Sequence, residues 1–242
     1  QGDSIPGEIF VWREIYTEGR LACFLDMEEW ISMRAQYLAS RFDVVMDDVA
    51  QYLRAGYEKI RAFPGEIVLW ADPCMFDQMF LAHLLWFMKM NRAEGRVSIV
   101  QISNPRGGFS GHDSAAMEDM FSKRTALSRE DLIWTSELWS AFCSETPMPL
   151  HGLSLVNNAA LPFAAAAAGR HLRQLPSVGN GLGLLESEIL EALSSGPLDL
   201  PALFKAVSGM ENIPFFGDTS LWALVDDLCR WERPLLGAAG PF

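Results

Sequence analysis

The start of the chain holds residues that can do chemistry. Gly2, Asp3 and Ser4 place a carboxylate and a hydroxyl side by side, which supplies a nucleophile or a polar contact for a ligand. If a first strand leads into this triplet, it lies at the carboxyl end of that strand, where open α/β sheets bind ligands. Asp3 and Ser4 are therefore the first candidate ligand-binding residues.

Catalysis by Ser4 requires a base. Hydrolases that open with a Gly-Asp-Ser triplet activate the serine with an Asp-x-x-His pair near the C-terminus. None of the four histidines of this chain has an aspartate three residues before it. A hydrolase or transferase acting on an ester or phosphoester remains an alternative to ligand binding, and a turn or helix cap made by the triplet is the structural alternative.

A second polar cluster is expected at the same sheet edge, where two β-rich runs end. Its carboxylates can bind Mg²⁺ or orient a cationic or hydroxyl-bearing ligand. The alternative is a buried ion pair between one of these acids and Arg13 or Arg34. Such a pair would give the same sequence pattern but would only stabilise the fold. The candidate ligand-binding residues of this cluster are Arg13, Glu14, Glu18, Asp72, Asp77 and Gln78.

A glycine-rich loop follows the third β-rich run. Arg106, Gly107 and Gly108 can offer backbone N–H groups and a positive charge to a phosphate. The loop lacks the Gly-Lys-Ser/Thr of a P-loop and the spacing of a dinucleotide fingerprint. A flexible loop is the alternative interpretation, and Asp113 at the start of the next helix would repel an anion.

The elements that position these residues are predicted to form an α/β protein. Near-continuous apolar runs at 8–12, 66–70 and 97–102 are typical of strands covered on both faces. Between them, apolar residues recur at three- and four-residue steps, which indicates helices. We therefore expect a Rossmann-like, mostly parallel sheet in an N-terminal domain at residues 1–125.

The remainder of the chain is predicted to be helical. Residues 126–178 form a helical extension that packs on the first domain, and its first helix begins with the capping-box spacing of Ser128 and Asp131. A stretch dense in proline and glycine then marks a linker. Three short helical patterns in residues 179–242 predict a small, mainly α, winged-helix-like domain.

The charge balance argues against nucleic acid as a partner. The chain of 242 residues carries 19 Lys and Arg against 31 Asp and Glu, a net charge of −12 that repels phosphate backbones. From Gly179 onward, 3 cations face 9 acids. A DNA-associated regulator is therefore only a second alternative, because a recognition helix needs several cations near phosphates.

Cysteine spacing and hydropathy indicate the compartment. The four cysteines form no CxxC pair, which argues against a zinc knuckle and a disulfide framework and favours free thiols in a reducing cytoplasm. The longest apolar stretch, at 80–90, is interrupted by His83 and Lys89 and is too short to span a bilayer. We predict a cytoplasmic protein with no membrane segment.

Short motifs along the chain resemble a bacterial family called domain of unknown function 1835. The last third resembles its companion, the C-terminal domain of unknown function 3658. The resemblance implies the two-part architecture and assigns no activity. The motifs that carry it include Gly2-Asp3-Ser4, Trp12-Arg13-Glu14, Glu18-Gly19, Arg34-Ala35, Leu69-Trp70, Asp77-Gln78, Leu161-Pro162-Phe163, Leu175-Pro176-Ser177, Asn180-Gly181-Leu182, Gly217-Asp218 and Pro234-Leu235-Leu236.

Two departures from the family pattern affect the predicted site. Family members have a full strand before the Gly-Asp-Ser triplet and a helix after it, whereas Ser4 is followed at once by Ile5. Residues are therefore expected to be missing between Ser4 and Ile5. Cys74 stands where an acidic residue is expected, which weakens a metal role, and we assign no metal site or cofactor.

Together these observations favour a small-ligand-binding or regulatory protein that works without turnover. The strand-end polar residues form a binding cluster without a complete catalytic set. A small polar molecule is the expected ligand, and the acidic C-terminal module is expected to dock on the first domain or on a protein partner.

Overall fold

The protein is mostly helical, which overturns the predicted Rossmann-like, mostly parallel sheet domain. The computed structural model describes residues 5–23, 25–92, 95–102, 108–109, 111–212 and 216–238. Helices hold 55% of these residues, and the only sheet found among them has three strands. In chain order the elements are α1 (Met27–Phe42), α2 (Met46–Ala62), β1 (Ile67–Ala71), α3 (Met75–Met90), β2 (Val97–Gln101), α4 (Ser114–Ser122), β3 (Thr125–Ala126), α5 (Arg129–Phe142), α6 (Met148–Ser154), α7 (Ala164–Leu172), α8 (Leu184–Leu193), α9 (Leu200–Met210) and α10 (Asp218–Arg230).

The sheet is one β-α-β unit with a short added strand. β1 and β2 are parallel, with Ile67 opposite Val97 and Ala71 opposite Gln101, and α3 makes the crossover between them. β3 pairs antiparallel with β2. Two of the three predicted strands are therefore present, but they build one small sheet instead of the framework of a domain.

The predicted strand at 8–12 is wrong, because this segment packs on a helix. The Phe10 ring stacks on Tyr52 of α2 with centroids 5.3 Å apart, and Trp12 meets the Tyr57 ring edge-on at 4.9 Å. The intervening side chains of Ile9 and Val11 are 76% and 58% exposed. Aromatic contacts with α2 replace the strand neighbours that the apolar composition suggested.

The main hydrophobic cluster is built around α3. This helix is apolar on almost every face, as expected for a helix surrounded by other elements, and it packs against β1, α5 and α7. Trp139 of α5 is fully buried there. The predicted capping box is confirmed, since the Ser128 hydroxyl accepts from the Asp131 N–H and the Asp131 carboxylate accepts from the Ser128 N–H.

The C-terminal segment has a second, smaller hydrophobic cluster. The three predicted helices are present as α8, α9 and α10. No strand pair lies among the described residues of 179–238, so the wing expected of a winged helix is absent from them. The core of this C-terminal cluster consists of Leu185, Ile189, Leu203, Val207, Leu221, Val225 and Leu228.

Phe216, Arg41 and Arg170 make three of the contacts that join the C-terminal helices to the rest of the protein. Phe216 packs against both hydrophobic clusters. An Arg41 Nη1 of α1 lies 2.7 Å from an Asp227 oxygen of α10. The Arg170 guanidinium of α7 donates from Nε to both carboxylate oxygens of Glu211, at 2.9 and 3.0 Å.

A helix that crosses a membrane must be long and predominantly apolar. Among the described helices, none combines the length and the apolar content that such a crossing requires.

Candidate functional site

A groove of about 1120 Å³ opens at the carboxyl end of β1. Its walls come from segments that are distant in sequence: residues 12–15, the connection from α1 to α2, the loop after β1, and the start of α10. The described residues that line it are Trp12, Arg13, Glu14, Ile15, Leu38, Phe42, Asp43, Val44, Val45, Asp48, Val49, Tyr52, Asp72, Pro73, Cys74, Phe76, Gly108, Phe216, Gly217, Thr219 and Ser220.

Most of the groove wall is apolar or aromatic. Rings from five different parts of the chain line it, and they offer flat hydrophobic surface to the body of a ligand. A few polar groups interrupt this surface, as is typical of sites that orient a small molecule. The aromatic lining residues are Trp12, Phe42, Tyr52, Phe76 and Phe216.

Asp77 and Gln78 hold the loop that presents Asp72. The Asp77 Oδ2 accepts a hydrogen bond from the Asp72 backbone N–H at 2.6 Å, and the Gln78 amide donates to the Asp72 carbonyl at 2.7 Å. The Cys74 sulfur caps α3 by accepting from the Asp77 N–H at 3.5 Å. These bonds fix both sides of the Asp72 peptide, so the side chain of Asp72 is held at the groove wall.

The Asp72 carboxylate retains an unused acceptor. Its Oδ1 atom is buried and has no hydrogen-bond partner among the described residues. Burial raises the pKa of Asp72, while a hydrogen bond from the Phe109 backbone and the nearby His112 oppose the rise. A buried acceptor without a donor costs about 1 to 3 kcal/mol. A ligand that donates to this oxygen would remove that cost.

Burial also shifts the pKa values of the two groups that surround Asp72. It raises the pKa of Asp77 to about 6, with a smaller contribution in the same direction from the negative charge of Asp72. It raises the pKa of the Cys74 thiol to about 12, and the Asp77 charge adds to this effect. Cys74 is therefore a protonated thiol at neutral pH and a poor nucleophile.

Glu14 is taken up by an ion pair inside the protein. Its Oε1 lies 2.7 Å from Arg34 Nη2, and both side chains are 0% exposed. Arg34 donates further hydrogen bonds to the backbone carbonyls of Ile15, Glu18 and Arg20. This geometry matches the structural ion pair with Arg34 that the sequence left open, and only part of Glu14 contributes to the groove wall.

Glu18 and Arg13 have different surroundings. The Glu18 Oε2 accepts from the Tyr37 hydroxyl at 3.1 Å and from Arg41 Nε at 3.2 Å, and Glu18 does not line the groove. Arg13 does line it, and its exposed guanidinium carbon lies 6.0 Å from the centre of the Tyr52 ring. Arg13 thus places a cation at the groove rim, over an aromatic face.

The structure thus brings together only some of the predicted site residues. Arg13, Glu14, Asp72 and Gly108 line one groove. Glu18, Asp77 and Gln78 lie outside its wall, where the last two support the Asp72 loop. The remaining candidates fall outside the described residues, as does the junction between Ser4 and Ile5: these candidates are Asp3, Ser4, Arg106 and Gly107.

Sequence reasoning missed the part of the groove contributed by α1, α2 and α10. Asp43, Asp48 and Tyr52 approach the loop after β1 only through the packing of the α1–α2 pair, and Phe216 arrives from the C-terminal segment. The amphipathic pattern of α2 predicts a buried face but not the element that covers it. No local signal in the sequence points to these residues.

The helix N-termini at the groove are already supplied with acidic groups. The first turn of α2 contains Asp47 and Asp48, and α3 contains Asp77. At the start of α10, the Asp218 carboxylate accepts from the Thr219 N–H at 2.7 Å. These carboxylates neutralise the positive ends of the helix dipoles, so the groove disfavours an anion.

The described residues contain no cluster of three or more His, Cys, Asp or Glu side chains arranged to hold a metal ion. In comparisons with known proteins, no protein-family model, no curated protein and no solved structure matches the chain. The groove and its chemistry are therefore the guide to the function of this chain.

Proposed function

We propose that the groove binds a small ligand with a protonated amine or another hydrogen-bond donor on an apolar, aromatic-sized body. The observation that carries the proposal is the Oδ1 of Asp72, which has no partner among the described residues and belongs to the wall of a mostly apolar groove. The donor of the ligand would satisfy this oxygen, and the aromatic rings would cover the apolar body.

The charges at the groove support a cationic ligand over an anionic one. Asp43, Asp48 and Asp72 line the groove, whereas Arg13 is the lining cation among the described residues. Glu14 adds no net charge, because Arg34 neutralises it inside the protein. The excess of carboxylates agrees with the net charge of −12 and attracts cations to the groove.

Binding without turnover has more support than catalysis. The thiol that lines the groove, Cys74, is kept protonated by burial, which raises its pKa to about 12. The alternative of ester or phosphoester chemistry requires Ser4 or a metal held with Asp3, and both residues lie outside the described part of the chain. The proposal therefore assigns ligand recognition to Asp72 and no chemical step.

The test uses matched probes that differ in the charge of one end. Phenethylamine and tryptamine are titrated against the protein by calorimetry, with 3-phenylpropionate as the anionic counterpart. We expect saturable binding of the amines and none of the carboxylate. Asp72→Asn should weaken amine binding by about 10- to 100-fold, because a charge-assisted hydrogen bond contributes about 1.5 to 3 kcal/mol.

The matched control for Asp72 is Asp119→Asn. The Asp119 carboxylate is exposed on α4, where it pairs with Lys123, and it does not line the groove. This variant should bind the amines as the unmodified protein does. Equal affinity of all three proteins, or tighter binding of 3-phenylpropionate than of the amines, would contradict the proposal.

We also propose a cellular location, a family membership and a protein partner for this chain. A cytoplasmic location is supported by the four cysteines, all of which are free thiols in the structure. Membership of the families named domain of unknown function 1835 and 3658 is supported by the spaced motifs alone. A protein partner for the acidic C-terminal helices is proposed on the same footing, with their charge of 3 cations against 9 acids as its support.

A further inference from the structure

A second cavity, of about 480 Å³, has two cysteines in its wall. It lies between the segment 16–25 and the C-terminal end of α5, and it is separate from the groove at β1 because the two share no lining residue. Cys23 comes from the first of these walls and Cys143 from the second. The cavity gives a small solute access to both residues.

The two cysteines meet at a single carbonyl group. The Cys23 thiol donates to the backbone oxygen of Trp139 at 3.6 Å, and the backbone N–H of Cys143 donates to the same oxygen at 3.1 Å. These two hydrogen bonds place the Cys23 thiol next to the backbone of Cys143. Two cysteines far apart in sequence therefore lie beside each other, at one carbonyl group and one cavity, while remaining free thiols.

We propose that Cys23 and Cys143 are a peroxide-reactive thiol pair that closes to a reversible disulfide. The oxidant is a hydroperoxide small enough to enter the second cavity. In the first step the Cys23 sulfur attacks the hydroperoxide, the O–O bond breaks, and the products are a sulfenic acid on Cys23 and an alcohol, or water from hydrogen peroxide.

The second step joins the two residues. The Cys143 sulfur attacks the Cys23 sulfur, the S–O bond breaks, and the hydroxyl leaves as water with the proton of the Cys143 thiol. Overall, two thiols and one hydroperoxide give one disulfide, one alcohol and one water. The peroxide is reduced and the two sulfur atoms are oxidised.

In this proposal Cys23 is the attacking residue and Cys143 is the resolving residue. The hydrogen bond from Cys143 lowers the pKa of Cys23, burial opposes this, and a hydrogen bond from Ser140 lowers it further. The same contact with Cys23, followed by burial, raises the pKa of Cys143. The negative end of the α5 dipole disfavours a thiolate at this position. The groups that favour a Cys23 thiolate are the Cys143 thiol and the Ser140 hydroxyl.

His171 lines the same cavity without adding a positive charge. Burial lowers its pKa to about 4, with a smaller contribution from Arg170, so the imidazole is neutral at pH 7. The remaining charged side chains on the cavity wall are Arg20 and Glu145.

The test begins with the unmodified, reduced full chain. It is treated with one equivalent of hydrogen peroxide at pH 7, the remaining thiols are blocked with N-ethylmaleimide, and the peptides are mapped by mass spectrometry. We expect a cross-linked Cys23–Cys143 peptide that is lighter by two hydrogen atoms and is lost after treatment with dithiothreitol. Full alkylation of both cysteines after peroxide treatment would overturn the proposal.

Variants then test the assigned roles. In Cys143→Ser, dimedone should trap a sulfenic acid on Cys23, whereas Cys23→Ser should give no such product at Cys143. Cys229→Ser, which removes a cysteine of α10, should leave the cross-link unchanged. Dimedone labelling of Cys143 in the Cys23 variant, or equal cross-linking of Cys23 to Cys229, would refute the assignment. The wild-type mapping remains decisive even if a variant fails to fold.

Discussion

Replacing Asp77 by asparagine should stabilise the protein, and the gain should grow as the pH rises. Burial raises the pKa of Asp77 from 3.8 to about 6, a difference of about 2 units. One pKa unit corresponds to about 1.36 kcal/mol, so the buried charge of Asp77 costs the folded state about 3 kcal/mol at neutral pH. Asparagine keeps an oxygen that can accept the hydrogen bond from the Asp72 N–H, and it carries no charge.

The direction of the pH dependence follows from proton counts. Between pH 3.8 and about 6 the folded state keeps a proton on Asp77 that the unfolded chain loses. Because the folded state binds more protons in this window, this group makes the free energy of unfolding fall as the pH rises. Below the window the carboxyl group is neutral in both states, so the advantage of the variant disappears there.

The assay is urea unfolding of both proteins at several pH values from 3.5 to 7.5. The measured quantity is the free energy of unfolding of Asp77→Asn minus that of the unmodified protein. This difference should rise by about 2 to 3 kcal/mol across the window and then level off. A difference that stays constant from acid to neutral pH would refute the claim that burial controls this carboxyl group.

Asp131 provides a control of opposite sign. Burial acts to raise the pKa of Asp131, but hydrogen bonds from the Ser128 hydroxyl and N–H, and from Asn158, outweigh it and lower the pKa. Its ionised form therefore stabilises the folded state, and that contribution is lost as the pH falls through the lowered pKa. Asp131→Asn should be less stable than the unmodified protein at pH 7. The difference in the free energy of unfolding should become smaller in acid.

Three further outcomes follow from contacts elsewhere. In Gly56→Ala the new Cβ would lie 2.6 Å from the Trp12 ring, so the N-terminal segment should shift, with a loss of about 1 to 3 kcal/mol and a red-shifted tryptophan emission. Arg170→Met should cost about 3 to 5 kcal/mol in urea unfolding, because it removes the guanidinium that pairs with the buried Glu211. Burial lowers the pKa of His83, so its contribution to stability is complete above pH 6.5 and is lost as the pH falls; His83→Gln should flatten that loss by up to about 1.4 kcal/mol per pH unit.

Each of these outcomes has a comparison that can contradict it. Gly209→Ala, in α9 and with nothing within 4 Å of the new Cβ, should gain up to about 1 kcal/mol, and an equal gain in the Gly56 variant would show that Trp12 does not limit that position. Unchanged stability of the Arg170 variant would mean that Glu211 is hydrated. An acid-induced loss as steep in the His83 variant as in the unmodified protein would show that His83 titrates normally.

The elements that were predicted correctly are those with strong local signals. β1 and β2 coincide closely with the predicted runs at 66–70 and 97–102. Ser128 caps α5 with the expected capping box. Each of these depends on neighbours within a few residues. The run at 8–12 has the same apolar composition, but tertiary contacts with α2 decide its structure, and the predicted sheet failed with it.

The candidate site shows the same division. Asp72 and Arg13 follow apolar runs at positions where polar side chains reach a ligand, and both line the groove. Tyr52 and Phe216 share that groove only because helices from three parts of the chain pack together. Composition shows that their rings must be covered, but the partner that covers them is set by long-range packing.

Phe216 has a thermodynamic consequence, since it packs against both hydrophobic clusters and also lines the groove. A ligand that contacts this ring and the loop at Asp72 binds only when both clusters are folded and docked. By mass action it stabilises the docked state by RT ln(1 + [L]/Kd), which is about 2.7 kcal/mol at a hundredfold excess over Kd. Two calorimetric unfolding transitions, one for each cluster, would merge into one as such a ligand is added. The groove thus makes the cooperativity of unfolding a readout of ligand occupancy.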